Sequence, residues 1–191
     1  MNMPFLNLAA IRYCTESEGP GKRFALWVQG CERHCPGCCN QSMQKIKKNK
    51  IVSTDDVIRL IAEAKNTYEI EGITMIGGEP MLQAEGLSHI AEWCHSQRLS
   101  VLVFTGYLYQ ELLQLNNPHI VHLLKFTDIL VDGPFVEDQY DTKRDWIGSS
   151  NQKVYYLSDY YKEGIEYQQN EHSMEIRITD SSLSVNGWPF L

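Results

Sequence analysis

Cys31, Cys35, Cys38 and Cys39 fall within nine positions of a 191-residue chain that holds six cysteines in all. The spacing Cys31-x3-Cys35-x2-Cys38 suits a cubane iron–sulfur cluster, in which three thiolates hold three irons and leave the fourth iron open. An iron with an open position can take a small chelating ligand, as open catalytic metal sites do. The methionyl amino and carboxylate groups of S-adenosylmethionine suit that vacancy. An electron delivered through a [4Fe–4S] cluster would then break the sulfonium S–C5′ bond and leave a 5′-deoxyadenosyl radical. The alternative is a zinc site completed by Cys39 or His34. Zinc usually draws on two separated CxxC pairs; no second pair is present, and adjacent Cys38 and Cys39 crowd one ion. Cys14 and Cys94 stand alone and read as small buried hydrophobes.

Gly77-Gly78-Glu79-Pro80 follows one strand–helix step later. Two glycines let a ligand approach the backbone closely, and strand-end amide and carbonyl groups then bind a polar head. The expected task of this motif is to hold the ammonium group of S-adenosylmethionine, with Glu79 either sharing in that or orienting the loop. A side chain at Gly78 is accordingly expected to block S-adenosylmethionine and spare the cluster. Alone the motif is common in turns; its weight comes from the three-cysteine loop before it.

The elements that must carry these motifs are legible in the periodicity. Phe24, Leu26 and Val28 alternate with Ala25, Trp27 and Gln29 as a strand running into Gly30-Cys31. Ser53-Thr54-Asp55-Asp56 caps a helix with Val57, Ile58, Leu60, Ile61 and Ala64 at helical spacing. Strands are predicted over Ile73 to Ile76, Val101 to Phe104 and Ile129 to Val131, the last two ending at Thr105-Gly106 and Asp132-Gly133. Helices are predicted around Leu87 to Cys94, over Leu108 to Leu115, and from Pro118 onward. This alternation is the signature of an α/β fold with a parallel βα array, and such arrays bind ligands at the carboxyl ends of their strands, where every motif falls. Four or five strands are too few for a closed eight-stranded barrel, so the predicted fold is a partial open (βα) barrel. Val154 to Leu157 either adds a strand or leads to a short helix. Met174, Ile176 and Ile178 then alternate with polar residues, turn over Thr179 to Ser182, and return through Leu183-Ser184-Val185 as a small C-terminal β-hairpin. Residues 1–153 are expected to form the core and 154–191 an extension of the same domain.

Bulk properties narrow the function classes. The net charge of −7 and the lack of a basic stripe argue against nucleic acid. Lys45, Lys47, Lys48 and Lys50 are the nearest thing to a basic patch and read as a solvated loop. No apolar run approaches the length a membrane span needs, and the N-terminal stretch lacks the basic region and cleavage site of a signal peptide. Clustered cysteines without an export signal point to metal in a reducing compartment, so a cytoplasmic location is expected.

The CxxxCxxC loop and the GGEP motif together resemble the radical S-adenosylmethionine superfamily. Gly19-Pro20-Gly21-Lys22-Arg23-Phe24, Gln29-Gly30-Cys31, Cys35 to Asn40, Phe104 to Tyr107, Val131 to Phe135 and Trp146 to Gln152 narrow the resemblance to the activating proteins of anaerobic ribonucleoside-triphosphate reductase. The resemblance implies an enzyme whose radical abstracts a hydrogen from a glycine of a large glycyl-radical partner, supplied with electrons by a reduced flavodoxin or a ferredoxin-like donor. It implies Cys31, Cys35 and Cys38 as cluster ligands. Gly37, Cys38, Cys39, Gly77, Gly78, Glu79, Thr105 and Asp132 become candidates for the S-adenosylmethionine pocket, and Gly148 to Gln152 either a loop for closing the site or meeting the partner, or a plain surface turn. Cys39 departs from the aromatic residue usual after the third cysteine, and a thiol cannot stack on adenine. Two other functions stay open at this point: a single-cluster enzyme modifying a peptide or other substrate, and a non-enzymatic iron–sulfur electron carrier.

Overall fold

The computed structural model describes residues 4–168, 173–180 and 183–187. Along the chain run β1 (Phe5–Thr15), β2 (Arg23–Val28), the one-turn helix α1 (Gln41–Gln44), β3 (Lys50–Ser53), α2 (Thr54–Tyr68), β4 (Gly72–Gly77) and α3 (Ala84–Ser96). β5 (Ser100–Phe104), α4 (Tyr109–Gln114), α5 (Pro118–Lys125), β6 (Ile129–Asp132) and β7 (Lys153–Tyr156) follow, then a hairpin of β8 (Met174–Ile178) and β9 (Leu183–Gly187). Residues 181 and 182 of the expected hairpin turn lie outside the described residues.

Seven strands form one mixed sheet in the order β3-β1-β2-β4-β5-β6-β7. The centre, β2-β4-β5-β6, is parallel as expected. β1, β3 and β7 pair antiparallel around it, which turns the expected parallel array into a mixed α/β sheet. β1 escapes a sequence reading because its apolar residues do not alternate cleanly, and a register shift against β2 between Leu8 and Ala10 explains why. The bulge flips the faces of the strand. Leu6 and Leu8 point to the helix side with the core, whereas Ala10, beyond the bulge, pairs with Trp27 and joins it on the other face.

Helices α2, α3 and α5 cover one face only. Phe24, Leu26, Val28, Ile73, Met75, Val101, Val103 and Leu130 project into this layer, against Val57, Ile61, Leu87, Ile90, Ile120 and Leu123. Burying each of these large side chains contributes about 1.5–3 kcal/mol. The Ser53 hydroxyl caps α2 by accepting from Asp56 N–H at 3.1 Å, and Pro118 opens α5 behind an Asn117 cap. Cys94 is fully buried in this core, while Cys14 on β1 is half-buried. The opposite face carries Trp27, Ile76 and Phe104, and it is where the site forms.

Arg23 shows what the motif around it does. Its side chain is wholly buried at the amino ends of the parallel strands. The guanidinium donates to Thr74 Oγ1 at 2.8 Å, Ile73 O at 2.5 Å, and Pro20 O, Ser100 Oγ and the Tyr161 hydroxyl at 3.1 Å each. A buried cation is tolerated when its fixed donor fork is matched by acceptors. Arg23 thus ties three strands together at the end remote from the cysteines.

Candidate active site

The cysteine loop leaves β2 at its carboxyl end and is held there by backbone. Gly30 N–H donates to Met43 O at 2.8 Å and Cys31 N–H to Gln44 O at 2.9 Å, while the Gln44 amide reaches Cys35 O at 3.4 Å. The short helix α1 therefore serves as a brace beneath the loop. All six cysteines are free thiols. Cys31, Cys35 and Cys38 line one cavity of about 560 Å³, a size typical of small-molecule sites. Burial pushes the Cys31 and Cys35 thiols up. Cys38 goes the other way, to about 6, chiefly because Cys39 hydrogen-bonds to it; Cys39 itself is raised by the same bond. The thiolate is the form that binds metal, so Cys39, which cannot stack on a base, acts instead on its neighbour. No three His, Cys, Asp or Glu side chains converge on a single ion among the described residues. A mononuclear zinc site needs such convergence, but a cubane takes its thiolates on three separate irons. The donor set fits the cluster.

The Gly77-Gly78 motif meets the loop from β4. A Cβ at Gly78 would lie 2.2 Å from Gly30 O, and one at Gly77, whose φ is +113°, 2.6 Å from Val28 N. Gly78 N–H donates to Val28 O and Glu79 N–H to Gly30 O, both at 2.8 Å. What comes close to these glycines is the protein's own backbone, at the residue preceding Cys31. A side chain at Gly78 therefore strikes the cysteine loop itself, against the expectation that it would spare the cluster.

Glu79 is completely buried and accepts from Met81 N–H at 2.9 Å, Thr105 Oγ1 at 2.8 Å and Gly106 N–H at 2.8 Å. Burial raises its pKa against the pull of these donors. It locks the ends of β4 and β5 together, which is the loop-orienting role. Arg33 stacks over Tyr107 with 4.8 Å from its guanidinium carbon to the ring centre.

Of the candidate pocket residues, Cys38, Cys39, Gly77, Gly78, Glu79 and Thr105 reach the cavity wall. Gly37 and Asp132 do not. Gly37 turns the loop between Cys35 and Cys38 beside Glu137. Asp132 accepts Tyr109 N–H at 2.7 Å and Lys153 N–H at 3.3 Å, fixing the start of α4 and β7. Gly148 and Gln152 line the wall, and the Gln152 amide is clamped between Gly133 O at 3.1 Å and the N–H groups of Gly148 and Ser149. The segment from 148 to 152 is a fixed wall held also by buried Arg144, which donates to Asp141, Ser149 O and Gln152 O.

Several wall residues were not among the pocket candidates read from the sequence. Trp27, Phe104, Phe135 and Trp146 supply aromatic surface, with Phe104 and Trp146 edge to face at 6.4 Å. Trp146 has φ +51°, an uncommon conformation for a bulky residue. Trp27 and Phe104 were legible as the odd residues on strands whose alternate positions are aliphatic; Trp146 gave no such signal. The hairpin contributes Met174, Val185, Asn186 and Gly187. Its polar side pins it to the turn after β1: Gly187 N–H donates to Glu18 at 2.7 Å, and the Asn186 amide to Thr15 and Ser17 hydroxyls at 3.0 and 2.9 Å. Glu18, nearly fully buried, is pushed up to about 7 by burial, against the Gly187 and Asn186 donors that lower it.

Residues 17–155 match the family described as 4Fe-4S single cluster domain. A protein of Enterobacteria phage T4 named anaerobic ribonucleoside-triphosphate reductase-activating protein is 30% identical over 158 residues, covering 81% of this chain and 96% of the relative. Proteins of the same name from Escherichia coli (strain K12) and Vibrio cholerae are each 32% identical, over 73% and 72% of this chain and 91% and 89% of their own lengths. The chain belongs to this activating-protein family. Its cysteine loop, glycine motif and Trp146-to-Gln152 wall fall inside the family's cluster domain, whereas the hairpin lies beyond residue 155. No helix among the described residues is long and apolar enough to cross a membrane.

Proposed function

We propose that Cys31, Cys35 and Cys38 hold a [4Fe–4S] cluster, that S-adenosylmethionine lies against Gly77, Gly78, Glu79 and Thr105, and that the chain generates a glycyl radical on an anaerobic ribonucleotide reductase. The observation that carries this reading is the meeting of the three cysteines with the Gly77-to-Glu79 strand end on one cavity wall. When bound, the cluster supplies the electron that splits S-adenosylmethionine into methionine and a 5′-deoxyadenosyl radical. The chain's residues do the rest. Cys39 and the Gln44 amide hydrogen-bond to Cys38 and favour its thiolate. Glu79 holds two strand ends at fixed separation, and the Phe104–Trp146 pair offers the adenine an aromatic surface in place of the one missing at position 39. Helices on one face of the sheet and the cavity on the other support an open partial barrel that curves around the ligand. Residues 1–153 and the 154–191 extension act as one domain, in the cytoplasm.

Anaerobic reconstitution with iron and sulfide, followed by dithionite and S-adenosylmethionine, tests the reading. It is expected to yield 5′-deoxyadenosine from the native protein and none from Cys35→Ala, which also loses the cubane. Full iron content in Cys35→Ala, or no product from a fully loaded native protein with its reductase present, refutes it.

A further inference from the structure

The cluster needs an electron from outside the chain, and a run of exposed cations follows the cysteine loop and its brace α1. From Arg33 to Thr54 the sequence contains Arg33, Lys45, Lys47, Lys48 and Lys50 and no acidic residue, in a chain of net charge −7. The four lysines are exposed, and among the described residues none has an acidic partner. Their backbone, by contrast, is fixed: Lys45 O accepts from the Gln29 amide at 2.6 Å and Lys47 O from the Asn7 amide at 2.8 Å. Lys45 directly follows Gln44, whose carbonyl takes the N–H of Cys31. The run is thus anchored by its backbone at Lys45 and Lys47, and it begins one residue after the carbonyl that holds Cys31 N–H. In their midst Ile46 is 67% exposed, packed over Gly30, and Ile51 is half-exposed on edge strand β3. Exposed apolar side chains interspersed with one sign of charge have the composition of an electrostatically steered docking surface.

We propose that Lys45, Ile46, Lys47, Lys48 and Lys50 form the docking face for an acidic one-electron donor protein carrying a reduced flavin. The inference rests on the radical function proposed above. The donor would be oxidised by one electron, which a cluster held by Cys31, Cys35 and Cys38 would supply to the sulfonium. The S–C5′ bond breaks, its sulfur leaves as the neutral thioether of methionine, and the carbon keeps the unpaired electron. No proton is exchanged.

The test compares two reductants on the reconstituted holoenzyme, with 5′-deoxyadenosine as the product measured. Dithionite needs no docking face; a reduced acidic flavodoxin does. In the Lys45→Glu/Lys47→Glu/Lys48→Glu variant the ratio of flavodoxin-driven to dithionite-driven rate is expected to fall by about tenfold or more. For the native protein the flavodoxin-driven rate is expected to fall between about 20 and about 300 mM salt as the charges are screened, and the dithionite-driven rate to change little. Taking the ratio keeps the result meaningful should the variant hold less cluster. An unchanged ratio, or a flavodoxin-driven rate indifferent to salt, overturns the docking face and leaves the radical function standing. Absence of dithionite-driven product from loaded native protein overturns the radical function itself.

Discussion

Gly78→Ala puts one methyl group where the structure has no room for it. The added carbon would lie 2.2 Å from Gly30 O, against about 3.3 Å for an ordinary close carbon–oxygen contact. The two strand ends must therefore part by about 1 Å. Gly30 O accepts Glu79 N–H at 2.8 Å, and a displacement of that size breaks the bond, at a cost of about 1 kcal/mol. Forcing an extra carbon into a packed site adds about 1–3 kcal/mol. A total of about 2–4 kcal/mol lowers the melting temperature of a chain this long by roughly 5–15 °C. Because Gly30 precedes Cys31, the same movement shifts one of the three proposed cluster ligands relative to the other two. The expected result is a less stable apoprotein that takes up substoichiometric iron, read by thermal melting followed by iron and sulfide analysis after anaerobic reconstitution. A variant that melts within about 1 °C of the native protein and binds a full cubane, yet fails to cleave S-adenosylmethionine, would falsify this account and restore the ligand-clearance role.

Trp146→Ala removes half of the edge-to-face pair on the cavity wall and is expected to raise the KM for S-adenosylmethionine about tenfold, the scale of one lost stacking contact, with cluster content unchanged; an unaltered KM in a kinetic titration sends the adenine elsewhere. Glu18 provides a pH test. Its folded pKa of about 7 lies above the ordinary carboxylate value because of burial, so between these two values the folded state binds more protons and stability falls as pH rises. Glu18→Gln keeps the acceptor for Gly187 N–H and is expected to flatten that decline from about pH 5 to pH 7.5 in denaturant titrations; an unchanged slope shows that another group causes it.

The chemistry of this chain was more legible than its architecture. Cysteine spacing and the glycine motif announce themselves because metal ligation and tight backbone approach demand particular residue types, and the four parallel strands follow from short apolar runs that end at turn residues. β1 was hidden by its bulge, which breaks the period that would have revealed it. β3 was hidden beneath a lysine run that reads as loop. Asp132 at the end of a strand looked like a ligand-binding residue, yet its oxygens serve two backbone amides; sequence does not tell a capping carboxylate from a binding one. The reason for Gly78 was legible only in part, since periodicity marks where a strand ends and not which neighbour it touches.

The hairpin bears on the order in which the molecule comes together. Its bonds to Thr15, Ser17 and Glu18 span 169 to 171 positions, whereas the cysteine loop is braced by α1 only 13 positions away. Contacts of great sequence separation carry the larger closure entropy and form late. The loop and its brace can thus be complete while the hairpin is still undocked, leaving the cavity open on its β1 side. Docking of the hairpin then supplies Met174, Val185, Asn186 and Gly187 and completes the cavity wall on that side.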